Sequence, residues 1–270
     1  LAFRKTGRTK VVAIEGAFHG RTAAAAAVSW RSERWYGFPQ KPFEVEFVPR
    51  GDIGMLSKAI DSTTAAVILE PVQGLAGAYA LGRDYLLAAR EASSRAGALL
   101  IFDEVQCGLG RCGAPFVARL HGVTPDILTV GKGLAGGLPA AALLVRPEAL
   151  PKLAVGDLGT TFGGGPLVCA AIEATLGALI EEGLMPRVRV VSRALFALAG
   201  RGPVVDVQGE GLLVGLRTRR PAKEIQAELL AQDILVGTSD DPFIVRLLPP
   251  LTLGLEHTIL LAAALGRLEG

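Results

Sequence analysis

The chain contains no asparagine, so it carries no Asn-X-Ser/Thr acceptor for N-glycosylation. Its only cysteines are Cys107, Cys112 and Cys169. An odd number with two close together argues against a disulfide framework and for a reducing, cytoplasmic setting. Histidine is almost as scarce. His121 is isolated, His257 is expected on the surface, and no Cys or His pair stands at ligand spacing, so no metal site is expected. No apolar run is long enough to cross a bilayer, and no basic-then-apolar leader opens the chain. Neither sign of charge is in excess: 28 Lys and Arg face 26 Asp and Glu, interspersed, for a net +2. That balance excludes the basic footprint of a nucleic-acid or membrane-surface binder. There is no internal repeat, and the one biased stretch, Ala23–Ala27, reads as ordinary packing.

What is present is a well-cored globular chain. Half of its 270 residues are hydrophobic and a fifth are charged, enough for one large domain and a smaller one. The first ten residues read as the end of a helix with a glycine stop at Gly7 before a strand. No helix start precedes them, so an N-terminal portion is expected to be missing. Short apolar runs at 11–15, 43–49, 65–70, 98–103, 127–131 and 140–145 predict strands. Helical patterns fall between them at 51–62, 83–96, 116–122 and 166–183. Such alternation implies an α/β domain with a mostly parallel sheet, its ligand beyond the carboxyl ends of the strands. After Gly183 the pattern changes to helices at 184–199, 223–231 and 256–268 and strands at 204–207, 212–217 and 244–247. The expected division is a large domain over 1–183, ending in an interdomain helix, and a small C-terminal α+β domain over 184–270.

Two groups stand at strand ends. Asp103 closes the apolar run Ala98-Leu99-Leu100-Ile101-Phe102, and Lys132 lies in the glycine loop that follows the strand at 127–131. A pyridoxal 5′-phosphate (PLP) enzyme needs both: the lysine forms the Schiff base, and the carboxylate pairs with the protonated pyridine nitrogen. Each has plainer readings. Asp103 could cap a helix. It could also end the magnesium strand of an ATPase, which needs a partner G-x-x-x-x-G-K-[ST] loop; Lys132 does not supply it, because Asp126 stands five before Gly131 and Gly133 follows the lysine, though a missing N-terminal portion could. A lone lysine is more often a surface residue. Glycine fingerprints at Gly108-Gly110-Gly113 and Gly131-Gly133-Gly136 are weak dinucleotide signals. They read equally as flexible loops, or as backbone passing close to a ring cofactor. Phe18 could stack on a flat cofactor and Arg21 could fork a carboxylate, against loop packing and a solvated arginine. Arg246, among apolar residues, is a carboxylate clamp or a paired structural arginine. Cys169 is expected in the core.

Taken together, these residues resemble the class III (fold type I) PLP-dependent aminotransferases, and most resemble the acetylornithine and acylated-lysine subgroup. The resemblance covers nearly the whole chain. It rests on Phe18-His19-Gly20-Arg21-Thr22, Leu69-Glu70-Pro71-Val72-Gln73-Gly74 and Phe102-Asp103-Glu104-Val105-Gln106. It continues through 125–132, Gly159-Thr160-Thr161-Phe162-Gly163-Gly164 and Arg246-Leu247-Leu248-Pro249-Pro250, all in the family's order.

The resemblance implies that Lys132 carries the cofactor and then shuttles a proton, while Asp103 keeps the pyridine nitrogen protonated. Gln106 would bond the ring's phenolic oxygen, and Val105 and Phe18 would sandwich the ring. Thr161 would reach the cofactor phosphate of the other subunit in a homodimer. Arg21 and Arg246 would hold substrate carboxylates, and Glu70 would be structural. The implied reaction moves the terminal amino group of N-acetylornithine, or of an N-acylated lysine, to 2-oxoglutarate in arginine or lysine biosynthesis. Alternatives are another ω-aminotransferase acting on ornithine or 4-aminobutyrate, or a catalytically dead fragment kept as a partner subunit. Three departures bear on this. The family's Ser-Gly-Thr-Glu-like phosphate loop is absent, Leu75 stands where a gating glutamate is usual, and Gly165 stands where asparagine is frequent.

Overall fold

A computed structural model describes residues 1–269. In chain order the elements begin with α1 (Ala2–Thr6), β1 (Lys10–Ile14), α2 (Ala23–Ala27), β2 (Glu44–Val48) and α3 (Ile53–Ala59). Next come β3 (Thr64–Leu69), the short β4 (Val72–Gln73) and β5 (Tyr79–Ala80), α4 (Arg83–Ala96) and β6 (Leu99–Asp103). They are followed by α5 (Val117–His121), β7 (Ile127–Val130), β8 (Ala142–Val145) and α6 (Pro166–Glu181). The last are α7 (Leu184–Phe196), β9 (Val204–Glu210), β10 (Leu213–Thr218), α8 (Ala222–Leu230), β11 (Gly237–Thr238), β12 (Ile244–Leu247) and α9 (Leu255–Leu265). The chain divides into two compact units. One holds Leu1–Pro71, Leu81–Val105 and Val117–Leu176; the other holds Val72–Ala80, Gln106–Phe116 and Gly177–Gly270.

The first unit is built on a six-stranded sheet of order β2-β1-β3-β6-β7-β8. All its pairs are parallel except β7–β8. Strands of a parallel sheet are covered on both faces, so they read as continuous apolar runs rather than alternating ones. β1 accordingly is buried throughout. Its first residue, Lys10, is buried too, and its charge is met by Glu46 and Asp61, each 3.0 Å away, and by the Ala59 carbonyl. Helix boundaries follow from local chemistry. The Asp52 side chain accepts from the Met55 N–H, so α3 starts at Ile53 rather than at 51. Gly97 closes α4 in the left-handed conformation, and Gly7 does the same for α1 with φ 69°.

The second unit has a four-stranded antiparallel sheet of order β11-β12-β10-β9. Its core joins α7, α8 and α9 to that sheet through Val188, Leu195, Leu216, Ile225, Val245 and Leu261. Each such side chain taken fully out of water contributes roughly 1.5–3 kcal/mol. The segment 106–116 is tied in by Arg111, which donates to the Leu212 and Pro249 carbonyls, and by Arg189, which donates to Gly113.

Several expectations change. Ala23–Ala27, where no helix is expected, forms a short one that buries Ala26 and Ala27. Cys169 is exposed rather than in the core, because only Leu179 of α6 is buried. The strand expected at 204–207 runs to Glu210, paired along its length with β10. The β4–β5 pair and β11 had no counterpart in the sequence reading.

Candidate functional site

Parallel pairing brings the carboxyl ends of β1, β3, β6 and β7 to one edge of the first unit's sheet. The register sets Leu69 beside Phe102 and Asp103 beside Thr129. Asp103, the last residue of β6, is buried. Its Oδ1 accepts from the Val105 N–H at 3.1 Å and the Thr129 hydroxyl at 3.0 Å. Its Oδ2 lies 2.7 Å from His19 Nδ1. Burial alone pushes a carboxyl up, but the His19 hydrogen bond and charge, together with Val105 and Thr129, hold Asp103 below the usual carboxylate range. The neighbouring Glu104, equally buried, does the structural work: it accepts from the Val117 and Ala118 N–H groups at the start of α5. Helix capping therefore belongs to Glu104, and Asp103 is left to its own network.

Lys132 opens a 3₁₀ turn just after β7 and is exposed. Its φ of 47° is left-handed, a conformation uncommon for a non-glycine residue and frequent at functional turns. The preceding Gly131 is extended, and a side chain there would stand 3.6 Å from Val105 Cγ1, in ordinary contact. Phe18 is half-buried, and its N–H donates to Glu70 Oε1 at 2.8 Å. Glu70 is thereby fixed as an acceptor for the loop after β1. Arg21 is exposed, its guanidinium carbon 5.7 Å from the Trp35 ring centroid. Thr161 lies in an exposed turn beside Phe162, itself 89% exposed.

Gln106 and Arg246 belong to the second unit. Gly74 passes so close to the Gln106 amide that any side chain there would overlap it. Arg246, on β12, donates from Nη1 to the Gly74 carbonyl at 3.2 Å. Leu75 is half-buried in the β4–β5 turn, its carbonyl accepting from the Asp240 N–H. A cavity of about 700 Å³ borders Arg246 within this unit. Its walls are mainly apolar, from residues such as Leu195, Val236 and Leu261, and it contains neither Asp103 nor Lys132.

Sequence reasoning missed His19, Thr129 and Trp35. His19 stands inside a quoted motif, but its partner is 84 positions away. Thr129 had the one available signal, a hydroxyl on the strand beside that of Asp103.

The family model for aminotransferase class-III matches residues 1–268. The chain belongs to the class-III aminotransferase family. Among its relatives is the acetylornithine aminotransferase of Mycobacterium tuberculosis, 42% identical over 252 residues, which are 92% of this chain and 63% of that protein. The Streptomyces coelicolor acetylornithine aminotransferase is 41% identical over 99% of this chain and 67% of its own length. The chain thus spans a little under two thirds of the mycobacterial relative. In solved structures, the ornithine aminotransferase of Toxoplasma gondii superposes with a TM-score of 0.90 at 28% identity, over 98% of this chain and 68% of that one. An amine transaminase from an uncultivated Pseudomonas species, in its PLP-bound form, gives 0.88 at 27% identity, over 98% of this chain and 70% of its own.

Proposed function

We propose that this chain carries the catalytic centre of a PLP-dependent aminotransferase acting on the terminal amino group of N-acetylornithine or an N-acylated lysine. The acceptor would be 2-oxoglutarate. The observation that carries the reading is Asp103: a buried carboxylate kept anionic at the carboxyl end of a parallel strand, one strand away from the loop that bears Lys132. The 42% identity to acetylornithine aminotransferases favours that donor. The likeness to an ornithine aminotransferase favours free ornithine as the second reading.

The donor set suits PLP. Asp103 is buried, oriented by the Val105 N–H, the Thr129 hydroxyl and His19, and kept in its charged form, so it can hold a proton on a ring nitrogen through the strongest kind of hydrogen bond, the charge-assisted one. Lys132 would offer the primary amine that holds PLP and a base for the proton transfer. Phe18 and Val105 offer apolar faces for a flat ring, and Gln106 a neutral amide donor for a phenolic oxygen. Arg21 and Arg246 are forked cations suited to substrate carboxylates. When bound, PLP supplies the electron sink for the carbon bearing the transferred amino group.

A homodimer is part of the reading, with Thr161 contributing to the partner's cofactor phosphate. It is supported by the exposed apolar side chains that flank it, Leu158 and Phe162. None of the three cysteines is in a disulfide, which supports a reducing, cytoplasmic compartment.

The test is titration of the purified chain with PLP, followed by borohydride reduction and peptide mapping. A visible absorbance band and a pyridoxyl group fixed on Lys132, both lost in Lys132→Ala, are expected. Incorporation elsewhere, or none, overturns the lysine assignment. Initial rates with N-acetylornithine, ornithine and 4-aminobutyrate then separate the donors.

A further inference from the structure

The chain has only two tryptophans, and both lie in one aromatic segment of the first unit. Trp30 is fixed: its N–H donates to the Ala17 carbonyl at 2.8 Å, and its ring meets Phe47 edge-on at 5.2 Å. From there the chain turns through Arg31, in the left-handed region, and a 3₁₀ turn over Ser32–Arg34. The Trp35 N–H closes that turn on the Ser32 carbonyl. The turn returns Trp35 to the loop that carries Phe18 and Arg21. Its indole stands 6.0 Å from the Phe18 ring, tilted by 55°, and beneath the Arg21 guanidinium at 5.7 Å.

Arg21 is exposed, and among the described residues no carboxylate lies within ion-pair distance of it. A long exposed arginine without such a partner samples many rotamers. An indole face under the cation removes most of that freedom. A guanidinium that gives its face to a ring keeps its N–H edge turned outward and free to fork a carboxylate.

We propose that Trp35 is a positioning residue that holds Arg21 ready for the substrate carboxylate, and so sets the preference for amines that carry a distal carboxylate over those that do not. The proposal rests on the reading of Arg21 as a carboxylate-binding group. The same indole leans on Phe18, so one side chain orients both the aromatic wall and the cation.

The experiment uses the PLP-loaded chain and two donors of equal length, 5-aminopentanoate and 1-pentylamine. The preference is the ratio of their kcat/KM values. Trp35→Leu should lower that ratio about two- to fivefold, the worth of an exposed cation–π contact, and Trp35→Tyr should restore most of it. The loss should appear as a raised KM for 5-aminopentanoate. A second readout needs no turnover. In a Trp30→Phe background, where Trp35 is the sole indole, glutarate should change its emission saturably, and Arg21→Gln should abolish that change. A ratio lowered by Arg21→Gln but untouched by Trp35→Leu, or emission indifferent to glutarate that inhibits turnover, overturns the positioning role alone. A ratio untouched by Arg21→Gln overturns the carboxylate reading beneath it.

Discussion

His19 Nδ1 lies 2.7 Å from Asp103 Oδ2, with both side chains nearly closed to solvent. An ionised carboxylate only accepts, so the imidazole must carry its proton on Nδ1 and donate it. The bond holds Asp103 in the charged form that its burial opposes. Because the folded-state value of Asp103 is depressed, its contribution to stability is complete above the ordinary carboxyl value of about 3.9 and is lost as pH falls through the folded value. In His19→Leu that folded value rises, so the loss begins at higher pH. A hydrogen bond to a charged group is worth about 2 kcal/mol. Urea unfolding of the variant at neutral pH should fall by about that amount, with an acid limb that starts earlier than in the parent. Superimposable stability–pH curves would show that His19 does not hold the charge.

Asp103→Asn separates charge from shape. Asparagine can still accept from the Val105 N–H and the Thr129 hydroxyl, but its amide nitrogen cannot accept from His19, so stability should fall by no more than about the 2 kcal/mol lost in His19→Leu, with the fold intact. The amide cannot hold a proton on a ring nitrogen. The half-reaction with the amino donor, followed in a stopped-flow spectrometer, should slow by roughly a hundredfold or more, the usual scale for removing a preorganised charge from a catalytic centre. A rate within a few-fold of the parent would remove Asp103 from the chemistry.

The strand ends were legible because parallel strands are apolar runs, and a carboxylate or lysine closing such a run stands out. What lay beyond one strand or one loop was not. His19 and Trp35 act through partners that only the folded chain brings near. The adjacent Asp103 and Glu104 look alike in sequence; which one caps α5 is decided by the direction each side chain takes from the strand end. Helix α2 is five alanines, which give no polar–apolar contrast from which a period could be read. Helix α6 is apolar on most sides and so reads as core, yet Leu167 and Ile180 are 74% and 71% exposed. Burial depends on what stands opposite, and a sequence pattern holds no record of that. Two-residue strands such as β4 and β5 are too short to show alternation at all.

Asp126 stands just before β7, at the opposite end of the sheet from Asp103, and its partners mark it as structural. It accepts from the Leu100 N–H of β6 and from Arg90 of α4, both at 2.8 Å, with Arg146 at 3.5 Å. Asp126→Ala leaves a buried strand N–H and a mostly buried guanidinium without their acceptor. The cost should be about 3 kcal/mol in urea unfolding, and Asp126→Asn, which keeps an acceptor for Leu100, should lose less than half of that. Equal losses in the two variants would assign the effect to packing instead.

The second unit is pinned by backbone geometry at Gly209, the next-to-last residue of β9, where φ is +117°, a value that side chains with a Cβ rarely adopt. Space is closed as well: a Cβ built there would overlap the Leu213 carbonyl on the paired strand. The obstacle is backbone, fixed by the β9–β10 ladder between Leu213 and Glu210, so it cannot rotate away as a side chain could. Gly209→Ala therefore meets two costs at once, strain at φ and a displaced strand, and should destabilise the protein by at least about 2 kcal/mol. Gly7→Ala supplies the control, since Gly7 shares a positive φ of 69° but has open space where its Cβ would go. It should lose only about 1 kcal/mol, the single-residue cost of the left-handed conformation. Amide exchange would then show whether the Gly209→Ala loss is concentrated in β9, β10 and β12. Equal effects of the two substitutions would mean that β9 can shift away from Leu213 and that the close approach there does not hold the sheet.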